Sequence, residues 1–252
     1  MLINSMDMAH FVARGFLRLD AVVPREINQA FLAALNLLEA DRQALPASHL
    51  SKLMELEIIP EVPPGTKLEK VYVTGSPLDR MLKLPEVSGA IESLIGKDPV
   101  FDHHFLHLAF PEAAFKNNPE RHVSQHLHQD STIDPRKTFD IQVFYFPHAV
   151  TAVMGGTRFL PGSHFRIVSE AAISRYQNIL GQESVVCPAG SVLIMHMGMW
   201  HGAGLNQSEH LRTLFKIRLC PTEHQERLWD CTDLTQDHFR QHPTFWTRYQ
   251  KK

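Results

Sequence analysis

The sequence predicts a mainly β protein of jelly-roll type, carrying helical additions at its N- and C-terminal ends. Three observations predict it. From about residue 99 to 220 the segments are short, rich in β-branched and aromatic residues, and separated by Gly, Pro, Asn and Asp, the pattern of many strands joined by turns. Before residue 98 the apolar residues recur at helical spacing behind prolines. Through all 252 residues there is no repeat, low-complexity tract or convincing linker. One domain is therefore expected: 1–98 as a mainly helical N-terminal layer, 99–220 as the jelly-roll core and 221–252 as a C-terminal extension.

In chain order, residues 5–14 read as a helix and 15–20 as a short extended run. Residues 24–39 place Pro24 at a first turn, with Ile27, Phe31, Leu35 and Leu38 at helical spacing. The stretch 42–68, with five Pro and Gly positions from Pro46 to Gly65, reads as irregular structure that could cover an active site. A further helix is expected over 85–97. The expected strands are 100–110, 124–130, 139–146, 156–160, 184–187, 191–195 and 211–219, interrupted by a helical insertion over 168–180. The tail from 223 to 252 is polar with aromatic residues and is expected to be helical in part.

Composition narrows the function classes. Hydrophobic residues make up 44% and charged residues 21%, as in a globular protein with a packed core. A formal net charge of −2 without blocks of like charge argues against nucleic acid or an anionic membrane held by a general field. Cys187, Cys220 and Cys231 are widely spaced and form no CxxC pair, so neither a disulfide framework nor a thiolate metal site is expected. The N-terminus lacks a signal-peptide pattern, and no apolar run is long enough to cross a bilayer. The expectation is a reduced, cytoplasmic enzyme acting on a small molecule.

The 16 histidines supply the chemistry. In His126-Leu-His128-Gln-Asp130, strand alternation puts 126, 128 and 130 on one face, so an imidazole and a carboxylate can aim at one cation. The best third ligand is His201, in a polar break after an apolar strand. Two histidines and a carboxylate leave one side of a metal open, the arrangement of iron(II) oxygenases. A lone HxD is more often structural, so the company it keeps matters. Arg212 opens the alternating strand Leu211-Arg-Thr-Leu-Phe-Lys-Ile-Arg-Leu, eleven residues past His201. Pointed inward, its guanidinium needs a carboxylate partner, since an unpaired buried charge is costly.

Four segments together resemble the phytanoyl-CoA dioxygenase family: His128-Gln-Asp130, Gly155-Gly-Thr-Arg-Phe-Leu-Pro-Gly-Ser-His164, Pro188-Ala-Gly-Ser-Val-Leu-Ile, and Trp200-His-Gly-Ala-Gly-Leu-Asn206 followed by Arg212. Their order and spacing match over 99–220, about half the chain. The resemblance implies a double-stranded β-helix (a cupin-like jelly roll) and dependence on iron(II), 2-oxoglutarate and O2. It implies His128, Asp130 and His201 as iron ligands and Arg212 as the partner of the distal carboxylate of 2-oxoglutarate. It further implies oxidation of a C–H bond, hydroxylation by default, with release of succinate and CO2. Pro161-Gly-Ser-His164 would be a structural turn. One departure stands out. Family members often carry a hydroxyl residue two positions after the distal histidine, where this chain has Ala203, so Thr157 and Gln142 are candidates for its part. Asp130 retains the carboxylate that related halogenases lack.

Other histidines are weighed against plainer roles. His126 could join His128 in a cupin-style pair or line a substrate pocket, but no glutamate follows at the usual place. His103, His104 and His107 read as surface or core residues. His196 competes with His201, which is preferred for the Gly-Ala-Gly-Leu-Asn segment behind it. Phe144 and Phe146 share a face on which one could wall the cosubstrate pocket. Met195, Met197 and Met199 read as packing, and Lys116 and Arg121 as solvated loop charges. Two other readings remain at this point: a cupin-type metalloenzyme that does not use 2-oxoglutarate, against which Arg212 argues, and a catalytically silent jelly-roll binding protein, against which the intact triad argues.

Overall fold

The computed structural model describes residues 2–35, 59–117, 119–130, 139–166, 178–221 and 246–247. Helices α1 (Ser5–Arg14) and α2 (Arg25–Ala34) flank strand β1 (Phe16–Leu19), and α3 (Pro77–Leu82) and α4 (Pro85–Ile95) follow. Each boundary has a local cause. The Asn4 side chain accepts the Asp7 N–H at 2.9 Å and so caps α1, while Gly15, at φ 80°, ends it in the left-handed conformation that glycine takes without strain. Proline occupies the first turn of α3 and of α4, where no N–H is missed.

The remaining strands are β2 (Val100–Ala109), β3 (Gln125–His128), β4 (Ile141–Phe146), β5 (Thr157–Phe159), β6 (Glu183–Ser184), β7 (Ser191–His196), β8 (His201–Ala203), β9 (Arg212–Cys220) and β10 (Trp246–Thr247). They form one sheet in the order β1-β7-β4-β9-β2-β10 and another in the order β3-β8-β5-β6, with every pairing antiparallel. From β2 to β9 the chain passes repeatedly between the two sheets, which makes the architecture a jelly roll, the double-stranded β-helix expected from the sequence.

Alternation along the strands divides the core in two. Phe144, Phe146, Leu193, Met195 and Leu214 of the larger sheet meet Phe159 of the smaller one inside the roll. The opposite faces of the same strands, with Val143, Tyr145, Ile194, Phe215 and Ile217, pack on Phe11, Ile27, Phe31, Met81 and Ile91 of the helices. All six residues of β4 are buried, because this strand has helices on one side and the second sheet on the other. A Tyr145 hydroxyl donating to Asn28 Oδ1 at 2.6 Å ties β4 to α2.

The expected strands are found with bounds shifted by one to three residues. Segment 184–187 shrinks to β6 and an isolated bridge between Val150 and Cys187. The 15–20 run is extended as expected and forms an edge strand of the larger sheet, with Phe16 opposite Met195. One strand comes as a correction: the 200–206 stretch, read as a polar break, begins with strand β8. Pro161-Gly-Ser-His164 makes the expected turn, Ser163 N–H donating to Leu160 O at 3.2 Å. Most of the 42–68 stretch, the 168–180 insertion and the C-terminal extension lie outside the described residues; Trp246 and Thr247 of the extension pair with Leu106 and Phe105. No helix among the described residues is long and apolar enough to cross a membrane.

Candidate metal centre

His128 ends β3 and His201 opens β8, and the two residues are register partners on neighbouring strands. Their rings lie 4.6 Å apart. Asp130 sits just past the end of β3, where its Oδ1 reaches His128 Nε2 at 3.1 Å and His201 Nε2 at 3.4 Å. Donors bound to one ion at ~2.1 Å in neighbouring octahedral positions lie about 3 Å apart, so both contacts of Asp130 suit a shared ion, and all three ligand atoms lie within 4.8 Å of one another. Glycine permits the approach. A Cβ on Gly202 would fall 2.7 Å from the carbonyl oxygens of Gln125 and His126, so a side chain there would wedge β8 away from β3.

Both imidazoles are oriented from behind. His201 Nδ1 contacts Met199 O and His128 Nδ1 contacts His126 O, each at 2.9 Å. A carbonyl only accepts, so each Nδ1 carries a proton, which leaves Nε2 as the nitrogen that can ligate a metal; on His128 a metal would displace the proton that Nε2 shares with Asp130. Burial takes the pKa of His201 down to about 4, leaving it neutral and ready to ligate. Burial works against charge on His128 too, but the hydrogen bond and charge of Asp130 hold its pKa above the ordinary value. Burial would raise the carboxyl of Asp130; the charge of Lys216, with the hydrogen bond from His128, outweighs it and holds that group well below the usual range. The Phe144 ring packs nearly perpendicular to the His201 ring, with centroids 5.9 Å apart.

Arg212 opens β9 on the inward face shared with Leu214. It is 2% exposed, and its Nε and Nη1 are buried without a hydrogen-bond partner among the described residues. Burial draws its pKa down to about 10, so it remains a cation at neutral pH. Together with Ala109, Gln125, Ala203 and Gly204 it lines a small cleft. Thr157, also buried, stands opposite Ala203 on the neighbouring strand and shares the inward face of Phe159. Gln142 is placed elsewhere. It pairs with Arg218, six positions along β9 from Arg212, or roughly 20 Å at the usual strand rise, and its Nε2 contacts Met197 O.

The competing histidines do not join the triad. His196 Nδ1 accepts the Gly198 N–H at 3.0 Å, and its ring packs on Phe139 and His164. His126 is exposed, beside a register irregularity between Gln125 and His128. His103 and His104 are core residues, and His104 Nδ1 meets the Tyr72 hydroxyl at 3.0 Å.

Two buried cations beside these groups are not singled out by the sequence. The Lys216 ammonium contacts Asp130 Oδ2, and Arg218 binds Asp140 at 2.8 Å and Asp102 at 3.1 Å. The signal was present in the strand that gave Arg212, because 212, 214, 216 and 218 all fall on its inward face. Asp102 and Asp140 also cluster with Cys220, but the Arg218 guanidinium already engages both carboxylates.

The model of the phytanoyl-CoA dioxygenase family matches residues 11–214. No curated protein matches the chain. Among solved structures, HygX from Streptomyces hygroscopicus with nickel and 2-oxoglutarate bound is 13% identical, with a TM-score of 0.60 over 88% of each chain. The carbocyclase SnoK from nogalamycin biosynthesis, described as non-heme and alpha ketoglutarate dependent, is 16% identical with a TM-score of 0.57, covering 98% of this chain and 96% of its own. The non-heme monooxygenase ThoJ, in a nickel complex, is 20% identical with a TM-score of 0.54, covering 84% of this chain and 76% of its own. At these identities the three structures speak for the fold.

Proposed function

The chain belongs to the phytanoyl-CoA dioxygenase family, and from that premise we propose that it is an iron(II)- and 2-oxoglutarate-dependent dioxygenase that hydroxylates a C–H bond of a small molecule. The observation that carries the cosubstrate is Arg212. A buried guanidinium with two nitrogens unpaired among the described residues, on the inward face and eleven residues past His201, is costly unless a ligand completes it. A carboxylate that accepts two parallel hydrogen bonds is the complement of that fork. A cupin-type enzyme without 2-oxoglutarate would have no such use for it.

In this reading His128 Nε2, Asp130 Oδ1 and His201 Nε2 hold the iron. Arg212 holds the distal carboxylate of 2-oxoglutarate, with the Thr157 hydroxyl as the second contact in place of the one missing at Ala203. Held there, iron(II) and 2-oxoglutarate would supply O2 activation, with succinate and CO2 as coproducts of the oxidised substrate. The chain's own part is orientation and exclusion. The carbonyls of Met199 and His126 fix both imidazole tautomers, Phe144 walls the centre, and the apolar interior keeps water from the oxidant. A natural-product intermediate is the substrate class to try first, since SnoK, alike in fold, is named for nogalamycin biosynthesis.

The test is anaerobic titration with iron(II) and 2-oxoglutarate, followed by the weak visible charge-transfer band of the bound pair. Wild type should show the band and His128→Ala should lose it. Absence of the band in wild type, or its survival in His128→Ala, refutes the assignment. Succinate release across a compound panel then identifies the substrate.

A further inference from the structure

Three cations line the inward face of β9, and their surroundings differ. Arg218 has two carboxylates of its own, Asp102 and Asp140. Arg212 has none among the described residues. Lys216, its side chain 4% exposed, is paired with Asp130, a member of the triad. Its ammonium also lies over the Phe105 ring, 5.1 Å from the centroid, and its neighbours in register are Phe105 on β2 and Phe144 on β4. The two oxygens of Asp130 are thereby divided. Oδ1 faces His128 and His201, and Oδ2 faces the ammonium.

Resting on the iron site proposed above, the geometry points to Lys216 as a positioning residue: its ammonium holds the outer oxygen of Asp130, so that one oxygen alone is offered to the metal. A carboxylate free to turn about its Cβ–Cγ bond can bind an ion through one oxygen or through both. Here turning would strip a buried ammonium of its hydrogen-bonded partner, and separating such a pair in an apolar interior is strongly unfavourable. The triad thus keeps its open side, and Asp130 gives the metal less negative charge than a carboxylate bound through both oxygens. The fixed positive charge beside the metal acts in the same direction. Both effects favour the ferrous over the ferric state. The inward placement of Lys216 thus tunes the ligand carboxylate, as partners behind metal ligands commonly do.

The test compares iron-loaded wild type, Lys216→Met and Lys216→Arg in a mediated redox titration without 2-oxoglutarate or substrate, read by the ferric paramagnetic resonance signal. Thermal melting runs alongside. Lys216→Met keeps the apolar stem against Phe105 and should fold. Its ferric/ferrous midpoint should shift to lower potential, and its ferrous form should be lost in air several-fold faster; Lys216→Arg should stay near wild type on both counts. An unchanged midpoint in iron-loaded Lys216→Met overturns the proposal while leaving the iron site intact. Failure of wild type to bind iron overturns both. If Lys216→Met folds without loading iron, restored loading in Lys216→Arg supports the positioning role and its absence refutes it. Should Lys216→Met not fold, Lys216→Gln takes its place under the same criteria.

Discussion

Thr157 and Ala203 stand directly opposite each other on adjacent strands, two positions along from the Phe159–His201 pair. That placement puts the Thr157 hydroxyl across from the position at which relatives often carry one. A hydrogen bond to a charged group contributes roughly 1.5–3 kcal/mol, or about tenfold or more in affinity. Thr157→Val should therefore raise the 2-oxoglutarate concentration needed for half-maximal succinate release at least tenfold. Ala203→Ser in that background should recover most of the loss. An unaltered requirement in Thr157→Val would remove the residue from the site.

Arg212→Met separates function from stability. Replacing a buried cation that has no carboxylate partner among the described residues with an apolar chain of similar length should leave the ligand-free protein as stable as wild type or more so, because a desolvation cost disappears. The same change should weaken 2-oxoglutarate binding by on the order of a hundredfold, and Arg212→Lys, lacking the planar fork, should restore little of it. Melting curves with and without 2-oxoglutarate check both halves; a wild-type response to 2-oxoglutarate in Arg212→Met would count against the clamp.

Gly202→Ala probes how tightly the smaller sheet sets the ligand geometry. The added methyl group would push on the Gln125 and His126 carbonyls and part His128 from His201. A displacement of a few tenths of an ångström should cost metal affinity about tenfold or more, while the larger sheet holds the fold together. Metal titration and far-ultraviolet circular dichroism together test this, and full affinity in a folded variant would contradict it.

Acid should destabilise the metal-free protein through its buried imidazoles. Burial takes His196 down to about 3. Its folded pKa lies below the unfolded value of about 6.5, so the unfolded chain binds the proton first. The stability it contributes is complete above pH 6.5 and is lost as the pH falls toward 3. At about 1.4 kcal/mol per unit, the part lost by pH 5 is on the order of 2 kcal/mol. Denaturant unfolding of wild type and His196→Asn at pH 8 and pH 5 should show a smaller acid loss in the variant, whose amide oxygen can still accept the Gly198 N–H. Equal losses would assign the acid effect to other groups.

Much of the architecture and the clustering of His128, Asp130 and His201 were legible in the sequence, for a physical reason. Strand alternation is local, so it could place His128, Asp130 and Arg212 on inward faces without any knowledge of pairing. It could not supply register. Gln142 was therefore grouped with Arg212 although it pairs with Arg218. β8 was missed because three residues around a glycine show no periodicity of their own; the strand exists through the neighbours that hold it, β3 and β5. Lys216 and Arg218 were legible in principle, since the rule that an inward charge needs a partner applies to every cation on β9.

The pairings of the larger sheet also dictate when it can form. Phe16 must find Met195, and Val100 must find Cys220, partners more than a hundred residues apart along the chain. Loops of that length have to close before any contact repays their lost freedom, so folding in milliseconds to seconds is expected rather than microseconds. During synthesis the helices, β1 and β4 leave the ribosome well before β7 and β9 exist to flank them. Through that interval β4, which the fold buries on both faces, has no strand on either side. The nascent chain is then a natural client for a chaperone that shields extended apolar segments.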